Sequence, residues 1–187
     1  MKKYFLAVFF VLFFFITFEA FAQEAKKIII ENSDFVDRNE AIAPGALLLT
    51  GNVRVNHDGV IMTCNKAYFF QSENYLKAFG DVQMNQGDTL FMNSSYAEYN
   101  GNVKKALATG NVVMRSPDMN LTTDTINFDR NIQQAFYKTY GTIVNKDNTL
   151  RSKSGRFYIN EKKYEFLTAV TITNPEYIIK SNHLNYY

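Results

Sequence analysis

Tryptophan is absent from the chain, cysteine occurs once, at Cys64, and histidine twice, at His57 and His183. A single cysteine excludes an intrachain disulfide, so packing and backbone hydrogen bonding must hold the fold. Two isolated histidines supply neither a catalytic pair nor a metal-ligand cluster. No G-x-S-x-G, G-x-G-x-x-G or H-E-x-x-H motif is written anywhere. Accordingly, no catalytic residue, metal site or cofactor is expected. An excess of one charge is also missing. With the first 22 residues set aside, the basic count falls from 20 to 18 by loss of Lys2 and Lys3, and the acidic count from 18 to 17 by loss of Glu19. A net charge near +1 excludes a nucleic-acid binder of the basic-groove kind. Amphipathic helical segments of useful length are lacking too. Phe, Tyr, Asn and β-branched residues are plentiful, and they favour strands and turns.

The one long apolar run opens the chain, "MKKYFLAVFFVLFFFITFEAFA" (1–22). Lys2 and Lys3, an apolar stretch from Tyr4 to Phe18, and Ala20-Phe21-Ala22 have the form of a secretory signal peptide cleaved after Ala22. An uncleaved anchor is the alternative, but the run is short for a bilayer and Glu19 interrupts it. The mature chain, 23–187, then belongs outside the cytoplasm and suits one domain.

That mature chain repeats itself. "LLTGNVRV", "LKAFGDVQM" and "LATGNVVM" return at Gly51, Gly80 and Gly110, with an eroded copy, "KTYGTIV", at Gly141. A second landmark keeps better time: Met62, Met92, Leu121, Leu150 and Ile179 stand 30, 29, 29 and 29 residues apart. Two positions after each comes a small residue, Cys64, Ser94, Thr123, Ser152 or Ser181. Five after it stands Ala67, Ala97, Ile126, Gly155 or Leu184. An aromatic follows at seven: Phe69, Tyr99, Phe128, Phe157 or Tyr186. Turn-rich points such as "NHDG" (56–59), "QGD" (86–88), "NGN" (100–102) and "NPE" (174–176) fall roughly every 15 residues, with apolar alternation between them. A period of about 29–30 holding two strands and two turns implies a stacked all-β meander, each repeat adding two rungs.

Alternation identifies an aliphatic stripe: Val53 with Val55, Val82 with Met84, Val112 with Met114, Ile143 with Asn145, and Val170 with Ile172. On the other half-repeat the apolar positions are 62 and 64, then 67 and 69. That change of parity requires a recurrent bulge or corner. Two antiparallel sheets bent toward each other are therefore expected, with "GNV" and "GDV" marking where each new strand pair begins. Five strands per sheet would make a space roughly 20–25 Å long. Composition alone leaves open whether that space is a filled sandwich core or an open groove.

These phrases, together with "LTTDTINFD" (121–129), resemble the OstA-like (LptA) family of periplasmic lipopolysaccharide-transport proteins, from about Ile28 to the chain end. The acidic residue that the family often carries after the small residue is present only as Asp124. The other copies hold Asn65, Ser95, Lys153 or Asn182. "IIIENSDFVD" (28–37) looks like a first half-repeat of unfixed register. The resemblance implies a repeat-built antiparallel β-jellyroll, or folded-sheet trough, of about 10–12 strands. It further implies a periplasmic location and an apolar interior for the acyl chains of lipid A. Partners would be lipopolysaccharide and, by end-to-end stacking, further copies or related jellyroll domains of inner- and outer-membrane components.

The candidate lipid-binding residues are Val53, Val55, Val82, Met84, Val112, Met114 and Ile143 on one strand set. Met62, Met92, Leu121, Leu150 and Ile179 are their counterparts on the other. Lys77, Lys104, Lys105, Lys138, Lys162 and Lys163 lie near turns, either solvated or at the rim, where they would meet head-group phosphates. The last segment, "YIIKSNHLNYY", stops without a cap, which suits either strand addition to another copy or partner, or a chain shorter than the natural product. The competing function is a structural or adhesive β-repeat protein that associates through open strand edges without lipid. Its interior would be dry and packed.

Overall fold

The computed structural model describes residues 26–187 except Thr89 and Asp118, so the expected signal peptide, 1–22, lies outside the described residues. It contains fourteen strands, all in one antiparallel sheet. They are β1 (Ile29–Asn32), β2 (Phe35–Asp37), β3 (Leu47–His57), β4 (Val60–Phe70), β5 (Tyr75–Gln86), β6 (Leu90–Asn100), β7 (Lys105–Ser116), β8 (Met119–Asp129), β9 (Gln134–Tyr137), β10 (Gly141–Asn145), β11 (Asn148–Ser152), β12 (Ser154–Tyr158), β13 (Lys163–Thr173) and β14 (Ile178–Tyr186). Three pairs, β1–β2, β9–β10 and β11–β12, are halves of single strands interrupted at a corner. Counted that way, eleven strands follow one another as a meander, each beside its chain neighbours.

Every long strand bends near its middle, and the bend has a single cause. Between β3 and β4 the pairing runs Thr50↔Lys66 and then Val53↔Cys64, so Gly51 and Asn52 oppose Asn65 alone. The same mismatch recurs at Gly80–Asp81 opposite Ser95, and at Gly110–Asn111 opposite Asp124. Two residues facing one make a β-bulge, which kinks the strand and strengthens its twist. Both bulged residues take the left-handed conformation: Gly80 has φ +72° and Asp81 has φ +46°. Glycine adopts this at no steric cost, and Asn or Asp at little. A Cβ on Gly80 would also fall 2.9 Å from Nδ2 of Asn65.

The extra residue explains the change of parity. Buried positions around the corner are four apart on the bulged strands, as Ala78 to Val82, and three apart on their partners, as Cys64 to Ala67. The recurrent corner is thus where the sequence placed it, but the surplus residue sits in the glycine-bearing strands. "GNV" and "GDV" mark these corners and not strand starts. Two of the five corners lack the phrase. They fall at Tyr140 (φ 61°), just before Gly141, and at Thr168–Ala169 (φ 63° and 52°).

A bulge strands a carbonyl, and the small residue beside it supplies the missing donor. Ser33 Oγ donates to Phe35 O at 2.7 Å, Ser94 Oγ to Tyr96 O at 3.1 Å, Ser152 Oγ to Ser154 O at 3.0 Å and Ser181 Oγ to His183 O at 2.7 Å. Cys64 Sγ and Thr123 Oγ1 make the same contact, at 3.3 and 3.5 Å. This is why a hydroxyl or thiol returns at each copy, and Cys64 is one of the series. The match of Ser33 to it fixes the register of the first half-repeat. Backbone pairing continues through the corner, as in Asp34 N→Gly51 O and Lys153 N→Thr168 O, both 2.9 Å. The expectation of two separate sheets is corrected accordingly: one sheet is folded along a line of bulges into two facing walls.

Candidate functional site

The folded sheet encloses one continuous apolar interior. On the second wall, the half of each strand that carries the Val of "GNV", register aligns one residue from every strand. The row reads Ile30, Val55, Met62, Met84, Met92, Met114, Leu121, Ile143, Leu150, Ile172 and Ile179. A parallel row nearer the corner alternates aliphatic and hydroxyl or thiol residues: Val53 beside Cys64, Val82 beside Ser94, Val112 beside Thr123, Val170 beside Ser181. The twelve candidate residues, Val53, Val55, Met62, Val82, Met84, Met92, Val112, Met114, Leu121, Ile143, Leu150 and Ile179, therefore share one inner face of one wall. They come alternately from two sets of strands that pair with each other, so the sets do not form separate faces.

Ten of the twelve are buried. Leu150 is half-buried against the core, and Ile179, on the edge strand β14, is 46% exposed because, among the described residues, no strand pairs with its outer side. The row crosses ten strand gaps, and so extends about 48 Å at the usual strand spacing. That replaces the shorter expectation, because the two half-repeats pair with each other in one sheet instead of filling two.

The opposing wall had no role in the sequence-based site. Its inner face carries a row of alanines in register, Ala67, Ala78, Ala97 and Ala108. Nearer the strand tips runs a row in which rings recur: Phe69, Leu76, Tyr99, Ala106, Phe128, Ala135, Phe157, Tyr164 and Tyr186. Ala67 and Ala97 of the first row, and Phe69, Tyr99, Phe128, Phe157 and Tyr186 of the second, are residues five and seven positions after the landmarks. Their spacing was visible, but facing walls are a long-range relationship that no local period encodes. In the middle of the chain, methionines of one wall lie against small side chains and rings of the other. A small void of about 10 Å³ remains between them, lined by Met84, Leu90, Met92, Met114, Phe128 and Ala135 among others. The interior is otherwise filled by the protein's own side chains.

Opposite the corner line, the strand tips of the two walls approach each other at a mouth. Polar contacts join them at the N-terminal end. Tyr99 O–H donates to Nδ1 of His57 at 2.6 Å, and Nε2–H of His57 donates to the Lys26 carbonyl at 2.9 Å. Arg130 Nη1 donates to the Tyr99 hydroxyl oxygen at 2.9 Å and to the His57 carbonyl at 3.2 Å. Its Nη2 donates to the Asp58 carbonyl at 3.2 Å. Further along, Gln86 Nε2 donates to Gln133 Oε1 at 3.4 Å. The segment 26–28 is strapped across this end: Asn74 donates to Lys26 O and accepts from Ile28 N, and the Ile28 side chain enters the core.

Burial pushes the His57 pKa below its ordinary 6.5, the nearby Arg130 and Lys104 charges pushing the same way. The neutral imidazole is also the form its two hydrogen bonds require. Asp58 receives hydrogen bonds from Lys26 and Lys104, which draw its pKa down to about 2. Of the candidate rim lysines, Lys104 reaches this mouth, 3.2 Å from Asp58. Lys105 instead pairs with Asp129, and Lys77, Lys138 and Lys163 lie over rings on the outer face of the alanine-bearing wall.

No curated protein matches the chain. A family profile described as OstA-like protein matches residues 25–182, which takes in the whole run of corners and both inner walls. The chain belongs to the OstA-like family.

Proposed function

We propose that the protein is a non-enzymatic, periplasmic carrier that shields the acyl chains of lipopolysaccharide between its two walls and forms part of a bridge to the outer membrane. The observation that supports this most is the unbroken apolar row from Ile30 to Ile179, one residue from each of eleven strands. A catalytic site needs a few convergent polar groups, whereas this interior offers a long surface of uniform chemistry. Each methylene taken from water contributes about 0.8 kcal/mol. A chain with ten buried methylenes thus gains about 8 kcal/mol toward separating side chains that fill the interior without it.

The methionines suit that exchange. Met62, Met84, Met92 and Met114 occupy four adjacent strands of the row, and their unbranched thioethers repack at low cost. The small side chain of Ala135 and the void beside Met84, Met92 and Met114 leave room for them to swing aside. The row ends at β14, where Ile179 is exposed and the backbone has an unpaired edge. A further copy or a related domain adding its first strand there would lengthen the shielded path.

The second reading, a structural array stacked edge to edge, is favoured by the filled interior. The two differ in whether the walls must part. Cysteines placed at Gln86 and Gln133 and joined by a short bismaleimide would hold the mouth shut. Lipopolysaccharide uptake by the purified protein is expected to disappear on joining and to match wild type before it. Equal uptake in both states would rule out loading through the mouth.

A further inference from the structure

Three cations gather around Asp58 at the latched end of the mouth, two of them on its carboxylate. Lys26 Nζ pairs with Oδ1 of Asp58, Lys104 Nζ lies 3.2 Å from Oδ2, and Arg130 reaches the Asp58 carbonyl at 3.2 Å. His57, beside them, is held neutral by its hydrogen bonds. The cluster therefore has about two positive charges more than it balances. Arg130 spends its Nη groups on neutral oxygens, those of Tyr99, His57 and Asp58, and its buried Nε–H has no hydrogen-bond partner. A guanidinium so placed favours an anionic acceptor. The site is reachable from solvent, since the Lys26, Lys104 and Asp58 side chains are 61%, 36% and 26% exposed.

The hairpin itself does not require the carboxylate to be where it is. Asp58 and Gly59 (φ 54° and 80°) form the two-residue turn between β3 and β4, and Asn at this position satisfies the same conformation. What the carboxylate adds is an internal anion for Lys26 and Lys104, on two separate segments, with Arg130 beside them on the backbone carbonyl.

We propose that Asp58 is an internal stand-in for a phosphate monoester, and that Lys26, Lys104 and Arg130 form the receiving site. A dianionic phosphate displacing Asp58 would balance the excess charge that one carboxylate leaves. The same exchange frees the carboxylate's ion pairs with Lys26 and Lys104, the latter a tie between the two walls, so anion binding favours opening of the mouth. The head group of a phosphorylated lipid and free phosphate share this chemistry. The site as such does not depend on the carrier reading, but its link to mouth opening rests on it.

The test uses the purified protein and three probes: inorganic phosphate against chloride at equal ionic strength, bis-phosphorylated lipid A, and the same lipid A dephosphorylated. Wild type is expected to prefer the phosphorylated lipid by about tenfold. Asp58→Asn should strengthen that preference, and Lys104→Ala and Arg130→Gln should each remove most of it. A response to inorganic phosphate with the same variant order identifies free phosphate as a sufficient ligand. A response confined to phosphorylated lipid identifies the head group. Both support the site. Lys104 is partly exposed and its variant should melt as wild type does, so it remains informative even if Arg130→Gln loses the fold. The proposal is overturned if wild type binds the two lipids equally and ignores phosphate, or if Lys104→Ala leaves the preference intact. Equal binding of both lipids leaves the carrier reading standing. Phosphate binding without any lipid binding keeps the site and removes the carrier.

Discussion

The ring of Tyr137 occupies the space that a side chain on Gly141 would need: a Cβ there would lie 2.4 Å from the ring's Cζ. The pair fills the interior where two other repeats place an alanine before the corner and a valine after it, Ala78 with Val82 and Ala108 with Val112. Tyr137 is 1% exposed, its hydroxyl is 2.6 Å from Ser152 Oγ, and its ring lies near Phe157. It has nowhere to move. Gly141→Ala is expected to cost about 2–4 kcal/mol in denaturant unfolding. Combining Tyr137→Ala with Gly141→Val, which restores the Ala108/Val112 arrangement, should recover part of that loss. A double variant no more stable than the sum of the single ones would show that the two positions are not coupled.

The conformation of Thr168 makes the opposite prediction. A β-branched residue at φ 63° is strained, and this corner carries Thr–Ala where three others carry Gly with Asn or Asp. Thr168 is exposed, so removing its side chain sacrifices little packing. Thr168→Gly should stabilise the protein by about 1 kcal/mol, whereas Gly80→Ala should destabilise it by at least that much. The check is the denaturation midpoint of each variant at unchanged slope.

Two residues at the mouth contribute to the response to acid, beside Glu31, Glu98 and Asp129, which are also held below the ordinary carboxylate range. His57 is neutral when folded, with its pKa below 6.5, and takes up a proton more readily when unfolded. Its contribution to stability is complete above about pH 6.5 and is lost as pH falls toward the folded pKa. Asp58 acts in a lower window: its contribution is present above pH 3.8 and disappears as pH drops toward 2. Melting temperature should therefore fall in two steps on acidification, and His57→Gln should remove only the upper one. An upper step that persists in His57→Gln must come from another group.

Much of the architecture was legible because bulges are local. The glycine phrases, the small residue and the change of parity all follow from the conformation of one corner, so each copy writes them again. Gly141 misleads for the same reason. It resembles a fourth corner glycine at an interval of 31, yet the corner precedes it at Tyr140, and Gly141 is small because of Tyr137. The corner at Thr168–Ala169 lacks glycine altogether, and its φ values and the break in pairing between Leu167 and Val170 reveal it. The single sheet, the alanine row of the opposing wall and the latch of His57, Tyr99 and Arg130 were not legible. They join residues 42 and 73 positions apart, and no period of 30 carries that information.

The edge strand β14 yields a prediction about assembly. Ile179 and Tyr186 lie on its inner face and are 46% and 57% exposed. If a second copy continues the apolar row, Ile179→Lys should lower self-association at least about tenfold, while leaving the melting temperature within a degree or two. Sedimentation across a concentration series decides it, and equal association of variant and wild type would place the contact elsewhere.

The central claim is that lipid occupies the space between the walls, and site-specific photo-crosslinking tests it most directly. A photoreactive residue would be placed singly at Val82, at Met114 and, as a control, at Gln83, in a cell that makes lipopolysaccharide. Val82 and Met114 are 1% and 2% exposed on the inner face, and Gln83, between Val82 and Met84, points outward. Lipopolysaccharide adducts at Val82 and Met114 but not at Gln83 are the expected result. Protein adducts from the end strands, with no lipid adduct at any inner position, would contradict the carrier and leave a stacked structural array.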